Sequence, residues 1–165
     1  MNTKFLVLGA LLTVIATIFQ CIPALLSEAF IFFTIFSTFP IFLAARLKTS
    51  LGIICYLLTI LLISFISPHE SLIFIFTNGV VGLSLGVARF YFNATKLIFL
   101  LSGLILFLSL NLVPYITGVL LFGFSLQLNL VTQVPLLIFC LVYCLIFQYL
   151  CDIIYKRVLP VIPKA

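Results

Sequence analysis

Long apolar runs that alternate with small groups of cations constrain this chain more than any other feature. The eight lysines and arginines fall in four groups at the ends of apolar runs: Lys4; Arg46 and Lys48; Arg89 and Lys96; and Lys156, Arg157 and Lys164. The interruptions around residues 23–28 and 67–70 hold no lysine or arginine. Cations are enriched in the cytoplasmic loops of membrane proteins, so this spacing places one group at every second crossing. It predicts six spans with both termini in the cytoplasm.

Composition requires a lipid environment for these apolar runs. The chain has 165 residues, of which 65% are hydrophobic and only 7% are charged, and its mean hydropathy is +1.49. A soluble domain of this size has too little interior to bury so much apolar surface. We therefore predict an all-α, multi-pass membrane protein in which residues 1–165 form a single integral membrane domain. Open sheet edges are excluded in lipid because their backbone groups would stay unsatisfied.

The net charge of +5 does not indicate nucleic-acid binding. The cations are spread singly or in pairs along short loops, whereas a nucleic-acid surface concentrates them in one stripe. They are better explained as topology signals and as contacts to the anionic headgroups of the lipid bilayer.

A length of about 20 residues per crossing divides the sequence into predicted spans. They cover residues 5–22, 28–45, 51–66, 71–88, 97–113 and 135–155. Pro40 is expected to kink the second span. Before the fourth span, Ser67, Pro68 and Glu70 have the order of a capping box, in which the serine caps the helix and the glutamate reaches back to it.

Residues 115–133 are ambiguous, because they are apolar enough to cross but contain several glycine and amide residues and no charge. A seventh crossing here would move Lys156 and Arg157 to the outer side. We therefore expect an extension of the fifth span followed by an interfacial or re-entrant segment, with a seventh span as the alternative.

Small residues form stripes on two of the predicted helices. On the first span the stripe consists of Gly9, Thr13, Ala16 and Thr17 and continues to the weakly polar Gln20. On the fourth span it consists of Gly79, Gly82 and Gly86, with Asn78 beside it. Small side chains let a neighbouring backbone approach closely in lipid. The stripes predict helix packing within the bundle or, for the first span, docking against a separate membrane subunit.

Polar residues at the outer ends of the spans are the candidates for binding a solute. Glu70 is assigned to its capping box, which leaves Glu28, Asn111, Gln127 and Asn129 as the residues expected to line a site. Polar groups near lipid are rare and often functional. The alternative is that they are ordinary solvated loop residues.

Enzyme chemistry is not predicted. The segment from Gly82 to Gly86 matches the G-x-S-x-G pattern, but that pattern functions at a strand-to-helix corner and here lies inside a predicted helix. The single histidine, His69, is too far along that helix to act as the base of its serine. The three acidic residues are dispersed and form no carboxylate pair.

Metal and cofactor sites are not predicted either. Cys140 and Cys144 have a spacing that could bind a soft metal, but no histidine accompanies them. The five cysteines lie in apolar runs, where cysteine acts as a small hydrophobic residue, so no disulfide framework is expected. Asp152 is expected to pair with Lys156 one helical turn away.

A family resemblance rests on four segments of the first two thirds of the chain. They are Phe39-Pro40-Ile41, Ala44-Ala45-Arg46-Leu47-Lys48, the outer Pro-x-Glu of Pro68 to Glu70, and the glycine-rich run Asn78 to Gly86. In these segments, over about residues 5–113, the chain resembles the YybS-like family of bacterial membrane proteins. That family in turn resembles the substrate-binding S components of energy-coupling factor transporters.

The resemblance implies a six-helix bundle in a bacterial cell membrane. It implies binding of a small solute such as a vitamin near the outer face. It also implies docking onto a transmembrane coupling subunit, with its ATPases, through the small-residue stripe of the first span. A non-transporting structural or assembly partner in a membrane complex is the alternative function.

Overall fold

Every element of the described chain is a helix. The computed structural model describes residues 3–118 and 130–158, and within these ranges there is no strand. The helices are α1 (Thr3–Leu25), a 3-10 helix (Glu28–Ser37), α2 (Thr38–Leu47), α3 (Thr49–Ile66), α4 (Pro68–Phe76), α5 (Asn78–Tyr91), α6 (Thr95–Thr117) and α7 (Leu130–Val158). Six segments in the described ranges are long and apolar enough to cross a membrane. The predicted class, an all-helical multi-pass membrane protein, is confirmed at this level.

The six segments correspond to the six predicted spans, with longer boundaries. The last one begins at Leu130 rather than at 135 and runs for 29 residues. Residues 119–129 lie outside the described ranges. The expectation that residues 115–133 do not cross therefore stays a prediction.

The second segment differs from its prediction, because its first half is a 3-10 helix. A 3-10 helix has three residues per turn, so side chains three apart lie directly above one another. Phe30, Phe33, Phe36 and Phe39 have this spacing, and successive rings are 5.9, 6.1 and 6.0 Å apart between centroids. The change of helix type comes at Ser37, before Pro40. Pro40 lies in the first turn of α2, where an α-helix tolerates proline because the first turn needs no backbone N–H donor.

The fourth segment is interrupted at Thr77. This residue has a non-helical backbone (φ −123°, ψ −94°) and separates α4 from α5. A break in lipid leaves carbonyl groups of the last turn unsatisfied. Here Tyr56 of α3 donates its hydroxyl to the carbonyl of Ile75 at 2.9 Å, and Ser109 of α6 donates to that of Phe76 at 2.9 Å. Side chains of neighbouring helices thus donate hydrogen bonds to the carbonyl groups next to the break.

Close packing of α2 against α5 forms the centre of the bundle. A Cβ atom at Gly82 would lie 2.6 Å from the Thr38 carbonyl oxygen, and one at Gly86 would lie 2.7 Å from the Phe42 carbonyl oxygen. At Gly79 a Cβ would lie 2.6 Å from the Tyr56 ring. The glycine stripe of the fourth span therefore packs inside the bundle, as its spacing predicted.

The small-residue stripe of α1 is also used inside the chain. Gly9, Thr13, Ala16 and Thr17 are all buried, and a Cβ at Gly9 would contact Leu51 of α3 at 2.7 Å. The two threonine hydroxyls bond to carbonyls of their own helix. The stripe therefore packs within the bundle, and its docking against a separate subunit stays a prediction.

Candidate functional site

A cluster of buried polar side chains joins four helical elements in one half of the bundle. We call it the amide-acid cluster. Its members are Gln20 of α1, Thr34 and Ser37 of the 3-10 helix, Glu70 of α4 and Asn78 of α5. All five are at most 7% exposed. In lipid, polar side chains that face the bundle interior are a default indication of function.

The hydrogen bonds of the cluster form one connected network. Two acceptors lie within reach of the single Ser37 hydroxyl hydrogen, Gln20 Oε1 at 3.0 Å and the Thr34 carbonyl oxygen at 2.6 Å from Ser37 Oγ. Asn78 Nδ2 donates to the same two oxygens, at 3.2 and 3.1 Å. The Gln20 amide then extends the network by donating Nε2 to Glu70 Oε2 at 2.9 Å. Gln20 is therefore the central residue, in contact with three of the other four members.

The cluster lies where the second span changes from a 3-10 helix to an α-helix and where the fourth span is interrupted. Ser37 is the last residue of the 3-10 helix and Asn78 is the first residue of α5. The Thr34 carbonyl, which two side chains bond, belongs to the last turn of the 3-10 helix. Interrupted helices are typical of binding sites in membrane transporters, because the break supplies backbone dipoles within the bilayer.

Glu70 has a different role from the one that its sequence context predicted. Ser67 does cap α4, since its Oγ accepts a hydrogen bond from the Glu70 backbone N–H at 3.4 Å. The Glu70 side chain, however, turns into the bundle to meet Gln20. Only the serine half of the predicted capping box is formed, because the Glu70 carboxyl group bonds the Gln20 amide instead.

The carboxylate of Glu70 has no cation beside it in the described chain. The ion pairs within residues 3–118 and 130–158 both involve Asp152 at the opposite end of the bundle. The Gln20 amide is the side-chain donor that Glu70 meets. A carboxylate can accept about four hydrogen bonds, and burial of a charge without compensation is costly.

The four residues predicted to bind a solute are not in this cluster. Glu28 is exposed at the start of the 3-10 helix. Asn111 is half-buried and bonds to the Phe107 carbonyl of its own helix at 2.9 Å. Gln127 and Asn129 lie outside the described residues, so their assignment remains a prediction.

At the opposite end of the bundle, two arginines converge on one aspartate. Arg46 of α2 lies 2.6 Å from Asp152 Oδ1, and Arg89 of α5 lies 3.1 Å from Asp152 Oδ2. The Arg46 guanidinium also stacks on the Tyr155 ring, 3.5 Å from its centroid. The predicted pair of Asp152 with Lys156 was wrong, because the folded bundle brings two guanidinium groups to the carboxylate, one to each oxygen.

Two further observations concern α7. Gln148 is 3% exposed, and neither its amide oxygen nor its amide nitrogen has a hydrogen-bond partner in the described chain. Cys140, Cys144 and Cys151 are buried free thiols. Within the described ranges no three residues of the histidine, cysteine, aspartate and glutamate types group closely enough to bind a metal ion.

The amide-acid cluster thus brings together one carboxyl group, two amides, the Ser37 hydroxyl and the Thr34 carbonyl in the bundle interior. No protein-family model, curated protein or solved structure matches the chain.

Proposed function

We propose that this chain is the substrate-binding membrane subunit of a small-solute uptake transporter, similar in role to the S components of energy-coupling factor transporters. The observation that carries the proposal is that the amide-acid cluster lies at the break in the fourth span and at the change of helix type in the second span. A bundle that needed only stability would gain by filling this region with apolar side chains, since buried polar networks are expensive to maintain.

The proposal places the protein in a bacterial cell membrane with both termini in the cytoplasm. Arg46 and Arg89 lie at one end of the bundle and Glu70 at the other. The lysine and arginine distribution assigns the arginine end to the cytoplasm. The amide-acid cluster then lies in the outer half of the bilayer, where an incoming solute would arrive.

A transmembrane coupling subunit with its ATPases completes the proposed complex. Because the small-residue stripe of α1 is covered by α3, we assign the contact to the opposite face of α1. That face is apolar and exposed, and it includes Val7, Leu11, Val14 and Ile18. Its residues recur at helical spacing, as a packing face requires.

A structural or assembly subunit is the second candidate. A specific feature favours it, namely an apolar groove of about 500 Å³ between α1 and α3. Thr17, Cys21, Leu62 and Phe65 are among its lining residues. Such a groove accepts the side chains of another membrane helix and does not recognise a polar solute.

Affinity purification in mild detergent, with mass spectrometry of bound small molecules and of co-purifying proteins, tests the two candidates. The transporter proposal predicts one enriched metabolite in the wild-type preparation and its loss from Ser37→Ala and Gln20→Met. Asn93→Ala, an exposed substitution at the other end, is the control and should keep the metabolite. A co-purifying membrane protein without any metabolite would favour the structural candidate.

A further inference from the structure

A groove at the arginine end of the bundle is lined by a buried amide that the described chain leaves unpaired. The groove has a volume of about 450 Å³ and lies between Thr95, the first residue of α6, and residues 145–152 of α7. Gln148 lines it and is 3% exposed, and neither its Oε1 nor its Nε2 has a hydrogen-bond partner within residues 3–118 and 130–158. Because a buried amide without partners costs free energy, Gln148 indicates a ligand from outside the chain.

The walls of the groove suit a hydrocarbon chain. Leu145, Ile146, Tyr149 and Leu150 line it and are 40–70% exposed. They belong to a segment that is long and apolar enough to cross a membrane, so their exposed surfaces face lipid rather than water. A ligand that enters between these side chains therefore needs an apolar part.

The mouth of the groove is positively charged. Asp152 lines it, but Arg46 and Arg89 contact the two carboxylate oxygens, so the three side chains together carry a net charge of +1. Lys96 is exposed and follows Thr95 at the start of α6, a helix N-terminus without a side-chain cap. The N–H groups of a first helical turn attract anions. A basic pocket between membrane helices at the cytoplasmic side is typical of sites for anionic lipid headgroups.

The order of these groups along α7 matches the order of groups in a glycerophospholipid. Gln148 precedes Asp152 by four residues, which is about 6 Å along the helix toward the bilayer centre. The ester carbonyls of a glycerophospholipid lie one glycerol unit below its phosphate. A phosphate beside Thr95 therefore brings an ester carbonyl to the depth of Gln148. The terminal torsion of glutamine is broad, so Nε2 can turn into the groove and donate to this carbonyl, while water that accompanies the headgroup donates to Oε1.

We propose that the groove between α6 and α7 binds one anionic glycerophospholipid of the cytoplasmic leaflet. Its phosphate lies against the first turn of α6 and Lys96, an ester carbonyl accepts a hydrogen bond from Gln148, and an acyl chain follows Leu145 and Ile146. The site is at the opposite end of the bundle from Glu70. It therefore does not depend on whether the amide-acid cluster binds a solute.

The five cysteines provide the assay. All are buried and free, so a maleimide dye that fluoresces on reaction with thiols reports thermal unfolding of the purified full chain in detergent. Unfolding is recorded with phosphatidylglycerol, with phosphatidylcholine of the same acyl chains, with glycerol 3-phosphate, and without addition. Phosphatidylcholine keeps the esters but has no net charge, and glycerol 3-phosphate keeps the phosphate but has neither ester nor acyl chain.

We expect phosphatidylglycerol to raise the unfolding temperature of the wild type about 5 °C more than phosphatidylcholine does. Lys96→Gln should lose most of this difference. Gln148→Met removes the amide at nearly constant length, so the shift with phosphatidylglycerol should fall, while the variant without lipid should be at least as stable as the wild type. Lys4→Gln makes the same charge change on α1, which packs against neither α6 nor α7 in the described chain, and should keep the full difference.

Equal shifts with the two lipids would show non-specific solvation and overturn the inference. An equal shift with glycerol 3-phosphate would identify a site for a water-soluble phosphate and overturn the lipid as its ligand. The inference also fails if Gln148→Met keeps the full shift, or if this variant is less stable than the wild type without lipid, since the amide would then have its partner inside the folded chain.

Discussion

Individual glycines fix how closely the helices of this bundle approach one another. At Gly52 a Cβ atom would lie 2.4 Å from the Cα of Ala45, which is backbone and cannot move independently of α2. At Gly9 the nearest atom is the Cδ1 of Leu51, at 2.7 Å, which is the end of a flexible side chain. Two glycines of similar burial therefore have different tolerance for an added methyl group.

We predict that Gly52→Ala lowers the free energy of unfolding by about 1–3 kcal/mol through overpacking. Gly9→Ala should lower it clearly less. The measurement is thermal unfolding of both purified variants, followed by exposure of the buried thiols. Equal losses for the two substitutions would show that backbone contact at Gly52 does not control the approach of α2 and α3.

Residue types also explain which parts of the site the sequence could indicate. Glutamate three residues after a capping serine is a common helix start, and this local explanation hid the long-range bond from Glu70 to Gln20, 50 residues away. The clearest signal was Gln20 itself, which extends the small-residue stripe of α1 and is therefore on its buried face. A buried amide needs partners, and asking which residues could supply them would have led to Ser37 and Asn78.

At the scale of helices, the interruption of the fourth span depends on side chains from its neighbours. The carbonyls of Ile75 and Phe76 accept hydrogen bonds from Tyr56 and Ser109. In lipid no water can replace these donors, so each one satisfies a carbonyl that would otherwise be buried without a partner.

We therefore predict that Tyr56→Phe and Ser109→Ala each lower the free energy of unfolding by about 1–3 kcal/mol. The phenylalanine keeps the ring contact with Phe74, so its effect isolates the hydroxyl. Tyr149→Phe, at a position that is 70% exposed, is the control and should be neutral. Thermal unfolding of the three variants is the measurement, and a loss in Tyr149→Phe equal to that in Tyr56→Phe would contradict the explanation.

The sequence was sufficient to predict that the six spans exist. It was not sufficient to predict whether each span is one continuous α-helix. Hydropathy depends on composition, which is why all six segments were found near their observed positions. The break at Thr77 depends on donors from α3 and α6 that are distant in sequence. The 3-10 helix did have a local signal, phenylalanine at every third position from Phe30 to Phe39, but hydropathy weighs these residues equally in any helix.

For the whole molecule, the charge distribution predicts the sidedness of the bundle, and a direct test is available. The native cysteines are buried, so they give a low background for labelling. We predict that a cysteine introduced by His69→Cys reacts with a membrane-impermeant maleimide in intact cells. One introduced by Asn93→Cys should react only after permeabilisation. The reverse pattern would invert the assigned topology.

The aspartate that binds Arg46 and Arg89 has a consequence for biosynthesis. Asp152 follows these arginines by 106 and 63 residues. A ribosome therefore delivers both cations to the membrane boundary well before their partner exists. While they are unpaired they can contact lipid phosphates and hold the early helices in orientation. Insertion of α7 then exchanges these lipid contacts for protein contacts, so α7 joins α2 and α5, which precede it in the chain.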